Sequence, residues 1–185
     1  MLSPFGMLRK KSMDELERLP AAEFRETEKF RIVLILDEVR SMHNVGSVFR
    51  SADAFCAQEI ALCGYTPRPP HRDIQKTALG ATETVAWQHF PSAVEAIAHY
   101  RDKGFRIIAV EQVHGSISLP QYQPTPGEAI ALVLGNEVDG VSDAALAQCD
   151  GAMEIPQFGS KHSLNLSVSA GIVLYALTAG RGAGF

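Results

Sequence analysis

The chain has 185 residues, of which 46% are hydrophobic and 21% charged, the balance of one ordinary soluble domain rather than of a disordered, collagen-like or coiled-coil protein. Its formal net charge of −4 disfavours a protein that coats nucleic acid non-specifically and leaves room only for a local basic patch. The three cysteines show no paired spacing, which argues against a disulfide framework or a zinc ribbon and fits a reducing cytoplasm.

Residues 1–30 are predicted to be an N-terminal helical appendage to a domain formed by residues 31–185. The appendage is charged and favours helix, apart from Pro20. Its first basic residues are followed by no apolar run, and the later apolar stretches are too short to span a membrane. We therefore expect neither secretion nor membrane insertion, and a cytoplasmic protein.

Short apolar runs alternate with helical patterns along the rest of the chain. The runs are predicted to be strands over residues 32–36, 60–63, 84–87, 105–110, 129–134 and 152–155. Strands that alternate with helices indicate an α/β fold, with a mostly parallel sheet flanked by helices. Ligands of such sheets bind beyond the carboxyl ends of the strands, so the loops that follow the strands are candidate site segments.

The first of these segments leads into a helix predicted over residues 44–57, where apolar side chains recur at helical spacing. Asn44 stands at the start of this helix, and Arg50 lies on the face that the apolar stripe leaves free. The simplest interpretation makes Asn44 a helix cap and Arg50 an ordinary exposed arginine. The alternative is that both belong to a site.

A proline-rich stretch over residues 65–76 interrupts the alternating pattern. It carries Arg68, Arg72 and Lys76, which together with Arg40 make the best candidate for a basic patch. Two interpretations stay open: a stiff connecting loop with solvated charges, or a surface that contacts RNA.

Two further segments place glycine and polar residues directly after a predicted strand. The first contains Gly135, where a glycine would let a ligand approach the backbone closely, and Glu137. The second contains Ser163 and Asn165 after a loop with proline and glycine. Taken alone, each segment is also typical of an ordinary turn or helix cap.

The last predicted helix, over residues 165–179, is apolar on two sides. One stripe consists of Leu164, Val168, Ile172 and Tyr175, and the other of Leu166, Ala170, Val173 and Leu177. A terminal helix of this kind is either sunk in the core or shared with a partner. We expect it to form a homodimer interface.

Several familiar catalytic signatures are missing from the sequence, namely the Walker loop, HExxH, GxSxG, and GxGxxG after the first strand. The six histidines are scattered without i, i+4 pairing, so no metal site is expected. These absences disfavour nucleotide hydrolysis and metal-dependent hydrolysis. They also disfavour the nucleotide-binding oxidoreductase that the alternation of strands and helices alone would suggest.

In their order and spacing, the three polar segments resemble the three motifs of the SpoU/TrmH family of RNA ribose 2′-O-methyltransferases, members of the SPOUT class. The matching residues are Asn44, Gly46 and Arg50 in the first motif, Gly135, Asn136 and Glu137 in the second, and Pro156, Gly159, Ser163, Leu164 and Asn165 in the third. The resemblance extends over residues 32–177. It implies a deep C-terminal trefoil knot, which the general avoidance of knots would not predict.

The resemblance also implies S-adenosylmethionine as the cofactor, tRNA or rRNA as the substrate, and dimers that build each active site from both chains. The implied catalytic residues are Arg50, Asn44, Glu137, Ser163 and Asn165, and the implied cofactor-binding residues are Val110, Gly135, Ile155, Ser163 and Leu164. Arginine stays protonated in proteins. We therefore expect Arg50 to bind the adjacent phosphate and stabilise the developing alkoxide, and not to act as a general base.

One alternative is a SPOUT-like RNA-binding pseudoenzyme that acts in RNA assembly. The intact set of five catalytic candidates disfavours it, because a degenerate site should have lost some of them. The acidic balance of the chain predicts modest RNA affinity with a shallow dependence on salt. The expected RNA contacts are Arg40, Arg68, Arg72 and Lys76.

Overall fold

A single parallel sheet of seven strands organises the computed structural model, which describes residues 9–12, 14–16, 18–125 and 127–179. The strands are β1 (Phe30–Asp37), β2 (Ala57–Cys63), β3 (Ala86–Phe90), β4 (Arg106–Val110), β5 (Ile117–Ser118), β6 (Ile130–Leu134) and β7 (Gly151–Glu154). Their order across the sheet is β3-β2-β1-β6-β4-β7-β5, and every neighbouring pair is parallel. The predicted α/β class is confirmed.

Helices cover both faces of this sheet. They are α1 (Ala21–Glu26), α2 (Met42–Ala54), α3 (Arg72–Ala78), α4 (Ala93–Asp102), α5 (Asp143–Leu146) and α6 (Leu166–Thr178). Short 3-10 turns occupy Asp14–Leu16, Ala81–Glu83 and Leu119–Gln121. Throughout the described ranges, none of the helices has the length and apolar character needed to cross a bilayer.

The interior strand β1 is buried on both faces because helices lie above and below it. Ile32 and Leu34 point into a cluster that includes α2 and α6, whereas Val33 and Ile35 point into a second cluster that includes α4. Successive residues of a strand point to opposite faces, so a strand between two helical layers reads as a continuous apolar run. For this reason the apolar run of β1 predicts a strand from the sequence alone.

The sheet order brings the carboxyl ends of β4, β6 and β7 side by side. These strands are adjacent in the order β6-β4-β7, and they end at Leu134, Val110 and Glu154. The loops that follow them therefore share one edge of the sheet. The chain then returns from β7 to α6, which packs against α2 beside β1. The deep trefoil knot stays a prediction.

Helix α2 begins two residues earlier than predicted, at Met42, and ends at Ala54. Its cap is Ser41, whose hydroxyl accepts a hydrogen bond from the backbone N–H of Asn44 at 3.2 Å. The capping interpretation of Asn44 is therefore wrong, and its side chain is free to act elsewhere.

The proline-rich stretch is not a loop throughout, because α3 begins at Arg72 behind the prolines. This helix packs so closely on α2 that a Cβ built on Gly46 would lie 2.1 Å from Thr77 Oγ1 and 2.2 Å from the Ile74 carbonyl oxygen. Gly46 is thus explained by the helix crossing. The strand predicted at 84–87 lies two to three residues further on, as β3.

The two apolar stripes of α6 have different environments. Leu166, Ala170, Val173 and Leu177 are buried in the core. The side chains of the other stripe, Leu164, Val168, Ile172 and Tyr175, are 36% to 63% exposed. At the other end of the chain, α1 buries none of its residues, and the division into residues 1–30 and 31–185 stays a prediction.

Candidate active site

A cleft of about 550 Å³ lies at the edge of the sheet where β4, β6 and β7 end. Its apolar walls include Val110, Leu134 and Ile155, which are the last residues of β4 and β6 and the first residue after β7. Ligand-binding clefts of proteins have volumes of roughly 300–1,000 Å³, so this cleft is large enough for a small molecule.

The sequence-predicted site residues are distributed unevenly around the cleft. All five cofactor candidates line it, namely Val110, Gly135, Ile155, Ser163 and Leu164. Of the catalytic candidates, Glu137, Ser163 and Asn165 line it, Asn44 reaches two of its lining residues by hydrogen bonds, and Arg50 does not line it. The structure therefore brings together residues from all three motifs, while their individual roles stay predictions.

A tight turn over residues 136–140 forms the wall beyond β6. The backbone N–H groups of Asn136 and Gly140 each donate to the other's carbonyl oxygen, at 3.0 and 3.1 Å. The side-chain oxygen of Asn136 accepts from the N–H groups of Val138 and Asp139, both at 2.9 Å. These hydrogen bonds fix the turn from within.

Gly135 is needed by this turn, which is a different reason from the one predicted. A Cβ built on Gly135 would lie 1.8 Å from the carbonyl carbon of Gly140 and 2.0 Å from the nitrogen of Val141. Both neighbours are backbone atoms that cannot rotate away. The chain itself thus demands glycine at this position, and the expectation that Gly135 also lets a ligand approach the backbone stays a prediction.

The carboxylate of Glu137 lies at the amino end of α2 and accepts three hydrogen bonds. Its donors are the backbone N–H groups of Arg40 and Ser41, both at 3.1 Å, and the amide of Asn44 at 2.7 Å. Partial burial alone would raise the pKa of Glu137, but the hydrogen bonds outweigh burial and lower it. Glu137 is therefore ionised at neutral pH and holds the start of α2 to the 136–140 turn.

Asn44 and Asn165 extend this contact into the third motif. The side-chain oxygen of Asn44 accepts from the amide of Asn165 at 3.0 Å. Asn165 in turn caps α6, because its side-chain oxygen accepts from the N–H of Ser167 at 2.9 Å and from the Ser167 hydroxyl at 2.7 Å. One chain of hydrogen bonds thus joins Glu137, Asn44 and Asn165, and with them the three polar segments.

Arg50 lies two helical turns along α2 from Asn44 and is exposed. The next residue, Ser51, places its hydroxyl 3.6 Å from where a Cβ on Gly171 would stand, so α2 meets α6 at this level. Arg50 thus directly precedes Ser51, which meets α6, and it is not among the residues that line the cleft of its own chain.

The four candidate RNA contacts are all exposed. Arg40 lies next to the 136–140 turn, with its guanidinium 3.5 Å from the carboxylate of Asp139. Lys76 pairs with Asp73 at 2.6 Å within α3, while Arg68 and Arg72 lie before and at the start of this helix. Exposed pairs of this kind exchange readily with solvent and other anions.

Two residues of this region were missed by sequence reasoning. Gln112, two residues beyond β4, donates from its side-chain nitrogen to the carbonyl oxygen of His162 at 2.9 Å. Phe158, in the loop between β7 and α6, is 98% exposed. Neither follows a pattern of spacing or capping, so only the fold could show their positions.

Comparison with known proteins identifies the relatives of this chain. The profile of the SpoU rRNA Methylase family matches residues 31–175. A curated relative is the 23S rRNA (guanosine-2′-O-)-methyltransferase RlmB of Vibrio vulnificus, 31% identical over 144 residues, which are 78% of this chain and 57% of the relative. The chain thus spans little more than half the length of this relative.

Solved structures show the same fold. The TrmH/SpoU tRNA modifying enzyme of A. aeolicus superposes with a TM-score of 0.76 at 25% identity, over 87% of this chain and 80% of the other. The SpoU methyltransferase AviRb of Streptomyces viridochromogenes, crystallised with the cofactor AdoMet, has a TM-score of 0.75 at 23% identity, over 86% of this chain and 64% of the other.

Proposed function

Because the chain belongs to the SpoU rRNA methylase family, we propose that it is an RNA methyltransferase that transfers the methyl group of S-adenosylmethionine to a ribose 2′-hydroxyl of tRNA or rRNA. The observation that carries this proposal is the chain of hydrogen bonds from Glu137 through Asn44 to Asn165, which joins all three motifs at the cleft.

The chemistry of the cleft fits the cofactor. Val110, Leu134 and Ile155 offer apolar surface to an adenine, while the lining carboxylates Glu111 and Glu154 favour a ligand with positive charge. When bound, S-adenosylmethionine supplies a methyl group that its positive sulfonium activates. AviRb, which shares the fold, was crystallised in complex with AdoMet.

Arg50 is proposed to act on the RNA and not on the cofactor. Its planar guanidinium would bind the phosphate next to the reacting ribose and stabilise negative charge that develops on the 2′-oxygen. The proton of the hydroxyl would leave through the phosphate or water, since an arginine that stays protonated cannot accept it. Orientation of the hydroxyl then supplies much of the rate enhancement.

The position of Arg50 supports a dimeric enzyme whose active sites combine two protomers. Arg50 is exposed and does not line the cleft of its own chain, and the next residue, Ser51, meets α6, whose outer stripe is exposed. Pairing this stripe with a second copy would bury Val168, Ile172 and Tyr175. It would also place Arg50 at the junction of the two chains, where it can serve the cleft of the second protomer.

The proposal extends to the RNA contacts, the N-terminal residues and the compartment. Arg40, Arg68, Arg72 and Lys76 are exposed and would contact phosphates of the RNA, with Arg40 nearest the cleft. Residues 1–30 would be an appendage to the catalytic domain of residues 31–185, since α1 buries no side chain. An RNA-modifying enzyme without disulfides would work in the cytoplasm.

Methyl transfer tests the proposal directly. Purified protein is incubated with tritiated S-adenosylmethionine and total tRNA or rRNA from a strain that lacks the gene, and any labelled nucleotide is mapped. We expect a 2′-O-methyl nucleotide in one RNA class, and its loss with Arg50→Ala. Cofactor binding without transfer to either RNA pool would contradict the proposal and favour an RNA-binding pseudoenzyme.

Subunit mixing tests the shared active site. Arg50→Ala protein is mixed with Ser163→Trp protein, in which a bulky ring blocks the cleft, and the subunits are allowed to exchange. A shared site recovers about a quarter of wild-type activity, because half of the dimers are mixed and each holds one intact site. If each cleft used its own arginine, no mixture would recover any activity.

A further inference from the structure

Phe158 is the most exposed of the large apolar side chains in the described residues. Its side chain is 98% exposed, compared with 70% for Val138 and 65% for Leu79. Burying apolar surface is favourable in water, so a fully exposed ring gains free energy when a partner covers it. Single exposed apolar residues are common, however, and the surroundings of Phe158 decide its meaning.

The ring stands on the rim of the cleft. Phe158 follows Ile155 and Gln157 and precedes Ser163, all three of which line the cleft. A Cβ built on the next residue, Gly159, would meet no atom within 4 Å, so the tip of the loop points into open space. Phe158 itself does not line the cleft. Its partner is therefore something that approaches the cleft from outside.

Hydrogen bonds to neighbouring segments hold the loop that carries Phe158. The side chain of Gln112 donates to the carbonyl oxygen of His162 at 2.9 Å, and Asn165 donates to Asn44 at 3.0 Å. The loop is thus tied to both β4 and α2. An aromatic ring on an anchored loop is presented at low entropic cost to its partner.

The charge on this loop indicates the nature of the partner. Lys161, three residues after Phe158, is the only lysine or arginine between residues 107 and 179, and it is exposed. A ring and an ammonium group three residues apart on one loop match a nucleotide, since the base stacks on the ring and the phosphate attracts the ammonium. An apolar protein surface would match the ring alone.

We propose that Phe158 is a stacking platform for a nucleobase of the RNA substrate, and that Lys161 contacts the adjoining phosphate. The inference rests on the proposed function for the identity of the partner as RNA. It adds an RNA-binding residue that touches the RNA outside the cleft. Phe158 accordingly contributes to RNA affinity and leaves cofactor binding unchanged.

Substitution at position 158 separates stacking from other roles. The affinities of wild-type, Phe158→Ala and Phe158→Tyr protein for fluorescein-labelled total tRNA and rRNA fragments are measured by anisotropy. Loss of one stacked base weakens binding by roughly 5- to 150-fold in Phe158→Ala, and tyrosine, which keeps the aromatic face, restores it. The dissociation constant for S-adenosylmethionine and the sedimentation coefficient should not change. Equal RNA affinity in wild-type and Phe158→Ala protein would overturn the inference, as would a changed sedimentation coefficient, which would identify a second protomer as the partner.

A tryptophan at the same position reports the contact itself. The fluorescence of Phe158→Trp protein is titrated with RNA, with S-adenosylmethionine and with inorganic polyphosphate, and the signal of Trp87 is subtracted using wild-type protein. Quenching by RNA alone supports stacking, because polyphosphate carries charge without bases. Quenching by the cofactor, or RNA binding without quenching, contradicts it. If wild-type protein binds no RNA at all, the proposed function fails together with the inference. If it binds RNA with an affinity that substitutions at position 158 do not change, the inference alone is overturned.

Discussion

Asn44 offers a test of the network because two of its side-chain hydrogen bonds join the other motifs. Its amide donates to Glu137 at 2.7 Å, and its oxygen accepts from Asn165 at 3.0 Å. A hydrogen bond to a charged group contributes about 1.5–3 kcal/mol and a neutral one about 0.5–1.5 kcal/mol, with the low ends appropriate where water can enter. Asn44 is half-buried, so we expect Asn44→Ala to lower the free energy of unfolding by about 2 kcal/mol.

Asn44→Asp should be worse at neutral pH, and it has its own dependence on pH. It replaces the donor to Glu137 by a second carboxylate, and two such charges about 4 Å apart repel by about 1 kcal/mol in water and about 4 kcal/mol at an effective dielectric constant of 20. In the wild type the pKa of Glu137 is lowered, so its stabilising contribution is present at neutral pH and is lost as the pH falls through the folded-state pKa. In the variant, the pair of carboxylates has a raised folded-state pKa. Its destabilisation is therefore largest near pH 7 and is relieved as the pH falls through that raised pKa, fully so below the unfolded-state carboxyl values of roughly 4.

Urea unfolding from pH 4 to pH 8 measures both effects, and Asn165→Asp is the matched control. Asn165 donates to a neutral amide, and aspartate caps a helix as well as asparagine does, so this variant should lose about 1 kcal/mol or less, with little dependence on pH. A midpoint for Asn44→Asp that equals the wild type at pH 7, or a deficit that grows on acidification, would refute the reasoning.

Three further predictions address the turn, the dimer and a buried thiol. Gly135→Ala should destabilise the chain by about 1–3 kcal/mol or more and weaken cofactor binding, because its methyl group would overlap the backbone of Gly140. An unaltered affinity for S-adenosylmethionine in titration calorimetry would contradict this prediction. Tyr175→Asp should give a folded monomer in sedimentation, since its side chain is 63% exposed on the outer stripe of α6; a variant that stays dimeric would exclude this interface. Burial first, and then the neighbouring charge of Asp150, raise the pKa of Cys149 to about 11, so this thiol should resist a disulfide reagent at pH 8; rapid modification in the folded state would contradict the prediction.

Much of the fold could be predicted because its strands are buried on both faces. The apolar run of β1 is uninterrupted from residue 32 to residue 36, and the same continuity marks β6. The short helix α3 was missed because three prolines precede it and only Ile74 and Ala78 of its seven residues are buried, too few to show a helical period. The cap of α2 was misassigned because Ser41 and Asn44 are both good capping residues three positions apart.

The sequence predicted which residues belong to the site but not which of them contact one another. Glu137 and Asn44 are 93 residues apart in the sequence, and Asn44 and Asn165 are 121 apart. Which of these side chains form hydrogen bonds with one another therefore depends on how the strands are arranged in the sheet. The sequence also indicated Gly135 for close approach of a ligand, and the 136–140 turn adds a steric demand for glycine at the same position. That Arg50 does not line the cleft of its own chain could be shown only by the fold, although the resemblance already implied active sites built from both chains.

The measurement that tests the account most directly is the 2′-O-methylation of cellular RNA at each nucleotide. Total tRNA and rRNA are compared among the parent strain, a strain that lacks the gene, and that strain carrying either the wild-type or the Arg50→Ala gene. The account predicts a 2′-O-methyl group that disappears with the gene, returns with the wild type and does not return with Arg50→Ala. A methylation pattern unchanged by loss of the gene, or one restored by Arg50→Ala, would contradict it.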